Sequence, residues 1–233
     1  MLPGFTGYKE FIPTIDFSIE KTALDFFRKN KDIIRIKSET IAQKNLISIF
    51  KATIKASNER GFQNMSMRDL SRESGLSLGG LYSYFPGKTE LITMLFNYSE
   101  EMVLNIMREQ IRNDFSTIEI LNRLICVHLY VSEVGHDWFY FFYMETKNLS
   151  KDNQKRMIAG ELKTEEIFHD LLKKGIKEGI FKVDDPLFTA SVIKSMLQDW
   201  YLKRFKFSKR NMSVEQYAEN VIKLIGSYIL NKS

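Results

Sequence analysis

The stretch Ser66-Met67-Arg68-Asp69-Leu70-Ser71-Arg72-Glu73-Ser74-Gly75-Leu76-Ser77-Leu78-Gly79-Gly80-Leu81-Tyr82-Ser83-Tyr84-Phe85-Pro86-Gly87-Lys88-Thr89-Glu90-Leu91 decides how the rest of the chain is read. Ser66 has Asp69 three residues on, a capping box in its acidic variant, and Ser77 caps a second short helix that reaches about Phe85. Gly75 sits in the turn between them. Two short capped helices joined through a glycine read as a helix-turn-helix, whose second helix is shaped to enter a DNA major groove. Leu70, Leu76, Leu81 and Phe85 fall where they clamp both helices onto their neighbours, so they are expected in the core. Gly79 and Gly80 each lower helix stability by roughly 1 kcal/mol relative to alanine, which makes sense where bare backbone must approach another surface.

Around that core lie side chains with the chemistry of nucleic-acid contact. Tyr82 and Tyr84 carry hydroxyls, and Lys88 opens the following helix, where its ammonium and the helix N-terminus can hold one phosphate together. Ser66 and Ser77 join them as backbone-positioning residues, with Arg68 and Gly79 nearest the bases and Lys44 on the preceding helix. A solvated surface role is the plainer alternative for each, Arg72 included.

The quoted stretch resembles the DNA-binding signature of TetR-family transcriptional regulators. The Gly75-Leu76-Ser77 turn, the Leu81-Tyr82-Ser83-Tyr84-Phe85 core and the following Gly87-Lys88 occur in one register, and the likeness covers about residues 40 to 95. The remainder resembles the family in helix count and length. The resemblance puts Leu78 near base edges, where contact with a thymine methyl competes with simple packing. It also implies that the C-terminal helices bind a small effector that changes the spacing of two DNA-binding heads. The chain departs from the family in a lead of nearly forty residues, whose Lys29, Lys31, Arg35 and Lys37 either reach a minor groove as basic arms do or form a solubilising tail.

Charge agrees with this placement. Arg28 to Glu90 holds 12 Lys or Arg against 6 Asp or Glu, while the rest of the chain has 22 basic and 23 acidic residues. The excess behind the net charge of +5 therefore lies in one segment, the footprint expected of a nucleic-acid-binding module and compatible also with an acidic membrane surface. The 233 residues are 44% hydrophobic and 13% aromatic, a globular composition. The longest apolar run, Trp138 to Met144, is far short of the roughly 20 residues a spanning helix needs. No membrane association is expected. Pro3 and Glu10 stand where a signal peptide would place basic and then apolar residues, and Cys126 is the only cysteine, so a cytoplasmic protein without a disulfide or multi-cysteine metal site is expected.

With 4 Pro and 12 Gly and no long alternation of apolar and polar residues, the pattern is all-α. Three segments are expected: 1–37, a partly helical extension with a helix over Ser18 to Lys29; 38–92, the helix-turn-helix domain; and 93–233, a helical effector-binding and dimerisation domain. The first helix of the second segment carries Leu46, Ile49, Phe50, Thr53 and Ile54 on one stripe and ends at Gly61. Later helices are expected over Lys88 to Arg112, Thr117 to Val134, Asp137 to Asn148, Lys151 to Glu178, Pro186 to about Phe205 and Val214 to Asn231. The last two have apolar faces wider than one core requires, which points to a homodimer closed by a four-helix bundle.

The expected partners are therefore double-stranded DNA, held as a palindromic operator by a dimeric repressor, a second copy of the chain, and a hydrophobic small-molecule effector; no cofactor and no metal are expected. Effector candidates are Trp138, Phe139, Phe141, Phe142, Met144 and Glu145 on one helix, Ile125, His128 and Leu129 on another, and Trp200 on a third, with ordinary core packing as the alternative. The order of Asp137-Trp138, Glu145, Gly175 to Gly179 and Asp199-Trp200 resembles family members that sense fatty acyl-CoA, while a hydrophobic drug or an aromatic compound stays open. Two other classes are considered. Glu133 with His136 and Glu166 with His169 repeat the Glu-x-x-His spacing of di-iron carboxylate enzymes, but Gly135 interrupts the first copy and the second lies on a charged face. A Cys126–His128 nucleophile fails because residues two apart on a helix diverge. The third class is a DNA-binding regulator controlled by a protein partner.

Overall fold

Local chemistry sets most helix boundaries in this computed structural model, which describes residues 7–15 and 18–230. In chain order the helices are α1 (Tyr8–Phe11), α2 (Ile19–Lys29), α3 (Glu39–Arg60), α4 (Met67–Ser74), α5 (Leu78–Tyr82), α6 (Lys88–Arg108), α7 (Thr117–Val134), α8 (His136–Glu145), α9 (Lys151–Lys177), α10 (Pro186–Leu202), α11 (Arg204–Ser208) and α12 (Val214–Ile229). Among the described residues there is no strand, only an isolated antiparallel bridge between Phe181 and Leu230. The all-α class expected from the sequence is the class found.

Reciprocal capping boxes open α4 through Ser66 and Asp69, α7 through Ser116 and Glu119, and α12 through Ser213 and Gln216. Asp185 caps α10 with Pro186 in the first turn, where its missing N–H costs nothing. Gly75 ends α4 at φ +74°, a left-handed position that a side chain would strain. Some ends differ from the sequence reading. Helix α6 stops at Arg108 and the chain turns, with Arg112 forming a bidentate pair to Asp114. Lys203 leaves helical geometry, so α10 ends at Leu202 and α11 follows as a separate turn. The expected end of the last helix at Asn231 lies outside the described residues.

The described chain divides into two compact units. One joins residues 18–99 with 137–155, so most of α8 is grouped with the helix-turn-helix. Its centre is α3, against which α2 and α4 pack. Phe26 of α2 is fully buried and meets the rings of Phe50, Phe85 and Tyr98 at centroid distances of 5.3, 6.0 and 5.6 Å. The α2 segment is thus part of the core. Leu70, Leu81 and Phe85 are buried as expected, while Leu76 is half-buried. Helix α8 covers the same unit: Trp138 lies edge-on to Phe50, Phe141 to Phe62 and Phe142 to Phe96.

The other unit contains residues 7–15, 100–136 and 156–230. Its axis is α7, buried along nearly its whole length and packed by α10 and α12. Tyr8 and Phe11 set their rings against Tyr130, and the Tyr8 N–H donates to Glu215 Oε1 at 2.6 Å. On α10 the residues Ala190, Ile193, Leu197 and Trp200 face inward, as do Ala218, Val221, Ile222 and Ile225 on α12. The opposite sides keep Leu187, Phe188, Leu224 and Tyr228 exposed. Gly175 lets the buried ring of Phe181 close onto α9, since a Cβ there would overlap that ring.

Candidate nucleic-acid interface and effector residues

The recognition element is small because its sequence allows nothing longer: two glycines in five residues, then Pro86. Ser77 Oγ accepts the Gly80 N–H at 3.1 Å and fixes the start of α5. A Cβ on Gly80 would press on that same hydroxyl, so this glycine serves the cap. Gly79 is different. It is exposed, and nothing stands within 4 Å of where its Cβ would be, which leaves bare backbone open to an approaching surface. Tyr82 is exposed beside it and Leu78 is half-buried. Ser66 and Arg68 on the α4 side and Lys44 on α3 are also exposed. The Ser66 hydroxyl is engaged in its capping box, donating to Asp69 Oδ2 at 2.6 Å, and Arg72 pairs with Asp69 at 2.7 Å.

Two residues read as phosphate contacts have partners within the chain. Tyr84 is 1% exposed, and its hydroxyl accepts from Asn45 Nδ2 at 2.9 Å, so it ties α3 to the end of the recognition element from within. Lys88 turns its ammonium onto the carbonyls of Gln63 and Met65 at 2.8 and 2.9 Å and over the Phe62 ring at 4.9 Å. Burial pulls that ammonium below the usual lysine range, against the opposing field of the Glu145 carboxylate.

The effector candidates fall in both units. Trp138, Phe139, Phe141, Phe142, Met144 and Glu145 belong to the first. Trp138, Phe141 and Phe142 pack there as described, Phe139 is half-buried and Met144 is exposed. Glu145 is buried, and its Oε1 accepts the Phe62 N–H at 3.2 Å and the Ser57 hydroxyl at 3.4 Å. Ile125, His128, Leu129 and Trp200 belong to the second unit, all buried. Trp200 stacks on Phe207 and donates its indole N–H to Glu133 at 2.9 Å. His128 meets a residue that the sequence reading missed. Lys194, 3% exposed, places Nζ 3.0 Å from His128 Nε2 and 3.0 Å from Glu161 Oε1. An ammonium can only donate, so Nε2 accepts and the imidazole is neutral with its proton on Nδ1. Burial first, and the Lys194 charge second, hold the His128 pKa well below its ordinary value. The lysine's burial in an otherwise apolar helix face left no periodic signal to find it by.

Residues 49–94 match the family model described as bacterial regulatory proteins, tetR family, and residues 114–225 match the tetracyclin repressor-like C-terminal domain. The chain belongs to the TetR family. Its similarity to the HTH-type transcriptional regulator HbdR of Aromatoleum sp. (strain CIB) is 21% identity, across 79% of this chain and 80% of that protein. Among solved structures, ketosteroid regulator KstR2 of Mycobacterium tuberculosis superposes with TM-score 0.68 at 19% identity, covering 79% of this chain and 94% of that one. FadR of Bacillus subtilis, solved with stearoyl-CoA, superposes with TM-score 0.64 at 18% identity over 77% and 96%. At these identities the structural likeness is one of fold. As a TetR-family protein the chain is a DNA-binding, helix-turn-helix transcriptional regulator.

Among the described residues no group of three or more His, Cys, Asp or Glu side chains is placed to hold a metal. Glu133 is engaged by Trp200 and Arg204, and His136 Nε2 lies 3.1 Å from the Tyr201 carbonyl. Cys126 is buried on α7. No helix among the described residues is long and apolar enough to cross a membrane.

Proposed function

We propose that this chain is a ligand-responsive repressor that binds a palindromic operator as a homodimer and leaves it when a hydrophobic effector, foremost a long-chain acyl-CoA, binds. The observation that carries the reading is the open backbone of Gly79 beside exposed Tyr82, on a recognition helix that is capped and clamped from below. Leu78, Gly79 and Arg68 read bases, and Ser77, Tyr82, Ser66 and Lys44 position the backbone. The dimer rests on the exposed outer faces of α10 and α12, with Phe188 at 64% and Tyr228 at 60% exposure. Two such copies hold their reading helices about 34 to 36 Å apart, one turn of DNA.

For the effector, the stearoyl-CoA in the FadR structure supports an acyl compound over a phosphorylated sugar. Of the residues singled out, Ile125, Leu129 and His128 on α7, joined by Lys194, supply an apolar wall with one polar pair, the composition that suits an acyl chain with a carbonyl or anionic head. To release DNA a hundredfold, the effector must prefer the non-binding state by about 2.7 kcal/mol. The test is to select an operator from genomic fragments with the full chain, then titrate the preformed complex with stearoyl-CoA, shorter acyl-CoAs, free fatty acids and aromatic acids. Release by one class, weakened in Lys194→Met, is expected. If none releases the DNA, the effector reading fails and control by a protein partner replaces it.

A further inference from the structure

The segment that joins α2 to α3 is built into the DNA-reading unit at a telling place. Asn30 ends α2, and its carbonyl accepts the N–H groups of Ile33 and Ile34 at 3.0 and 2.9 Å, turning the chain. Ile34 then plugs the core, 4% exposed. The next residue is tied to the recognition element: the Arg35 N–H donates to the Ser83 carbonyl at 2.8 Å, one residue beyond exposed Tyr82. Burial alternates along this segment: Ile34 is buried and Ile36 half-buried, while Arg35 and Lys37 are exposed. Their neighbours are already engaged. Arg28 and Lys31 pair with Glu39, at 3.0 and 3.1 Å, and Lys29 lies over the Tyr98 ring at 5.6 Å. Among the described residues Arg35 and Lys37 have no ion pair, so two exposed cations lie on a segment whose backbone is tied to the end of α5.

We propose that residues 35–37 form a second phosphate-binding element, in which Arg35 and Lys37 grip the DNA backbone that flanks the bases read by α5. The family model begins at residue 49, so the matched signature does not include this element. The element rests on the DNA-binding reading and adds to it a segment pinned by a main-chain hydrogen bond, which carries two exposed cations. Contacts of this kind carry affinity and register and no sequence information. Their removal weakens all duplexes alike and lowers the salt dependence by about 0.9 per phosphate lost.

The experiment compares full-length wild type, Arg35→Ala/Lys37→Ala, Arg35→Lys/Lys37→Arg and a charge-matched control, Lys173→Ala/Lys177→Ala on α9. Each is titrated with a labelled duplex carrying the selected operator and with a random duplex of equal length, from about 50 to 200 mM salt. The double alanine variant should lose nearly two units of salt slope, on the order of 1.8 from the two phosphates, on both duplexes, keep its preference between them and keep its melting temperature. The charge-conserving exchange and the control should match wild type. An unchanged slope in the double alanine variant, or an equal loss in the control, overturns the proposal while the DNA-binding reading stands. A wild-type chain that binds neither duplex overturns both.

Discussion

At Asp69 four donors converge on one carboxylate: the Ser66 hydroxyl at 2.6 Å, the Ser66 N–H at 3.0 Å, Arg72 at 2.7 Å and Arg60 at 3.5 Å. The hydroxyl and N–H of Ser66 contribute most, and with Arg72 they pull the pKa from 3.8 to about 2. The folded state therefore favours the ionised form, so its stabilisation is complete above about pH 4 and is lost as the pH falls toward 2. Asp69→Asn should flatten that part of the acid limb in urea-midpoint measurements against pH. His128, a basic group, is shifted in the same direction by burial and not by hydrogen bonds. The folded chain refuses a proton that the unfolded chain accepts below about pH 6.5, so stability falls with acid from there downward. In His128→Gln the decline between about pH 6.5 and 5 should shrink in the same measurement. Lys88 carries a different expectation, since its ammonium holds two peptide carbonyls. Lys88→Met should cost on the order of 1 kcal/mol of stability by urea unfolding and leave the salt slope of DNA binding as it is in wild type.

Single elements show why part of the fold is plain from sequence and part is not. The ends of α4, α7 and α12 follow from caps three residues long, and the stripe of α3 from its own spacing, so both are visible locally. Tyr84 and Lys88 depend on partners 39 and 25 residues away, Asn45 and the Gln63 carbonyl, which no window of sequence connects. The weak apolar pattern of α2 announced a helix but not that Phe26 would enter the core of the reading unit. Helix α9 offers a test at this scale. Its last turn keeps Gly175 under the Phe181 ring, and Gly179 ends it at φ +73°. Gly175→Ala should destabilise by roughly 1 to 3 kcal/mol, despite alanine's better helix propensity, because the ring has to move. A melting temperature unchanged or raised in that variant would show that the ring yields freely.

For the whole molecule, the outward faces of α10 and α12 set the decisive comparison. Phe188→Asp with Tyr228→Asp places charge where the second copy is expected, and should leave a folded monomer in sedimentation at micromolar concentration with operator binding lost. A variant that stays dimeric places the interface elsewhere. The grouping of residues 137–155 with 18–99 has a consequence in time as well. During synthesis, α2 to α5 leave the ribosome together, and their contacts join neighbours in sequence, so this part of the unit can form early. The Phe62 N–H and the Ser57 hydroxyl must wait for Glu145, and the Phe50 ring edge must wait for Trp138. At about 5–20 residues per second, that wait lasts on the order of several seconds. The nascent protein spends those seconds with its DNA-reading unit uncovered on one aromatic side, and a ribosome that stalls before Glu145 would release a head whose sequence signature is complete and whose core is not.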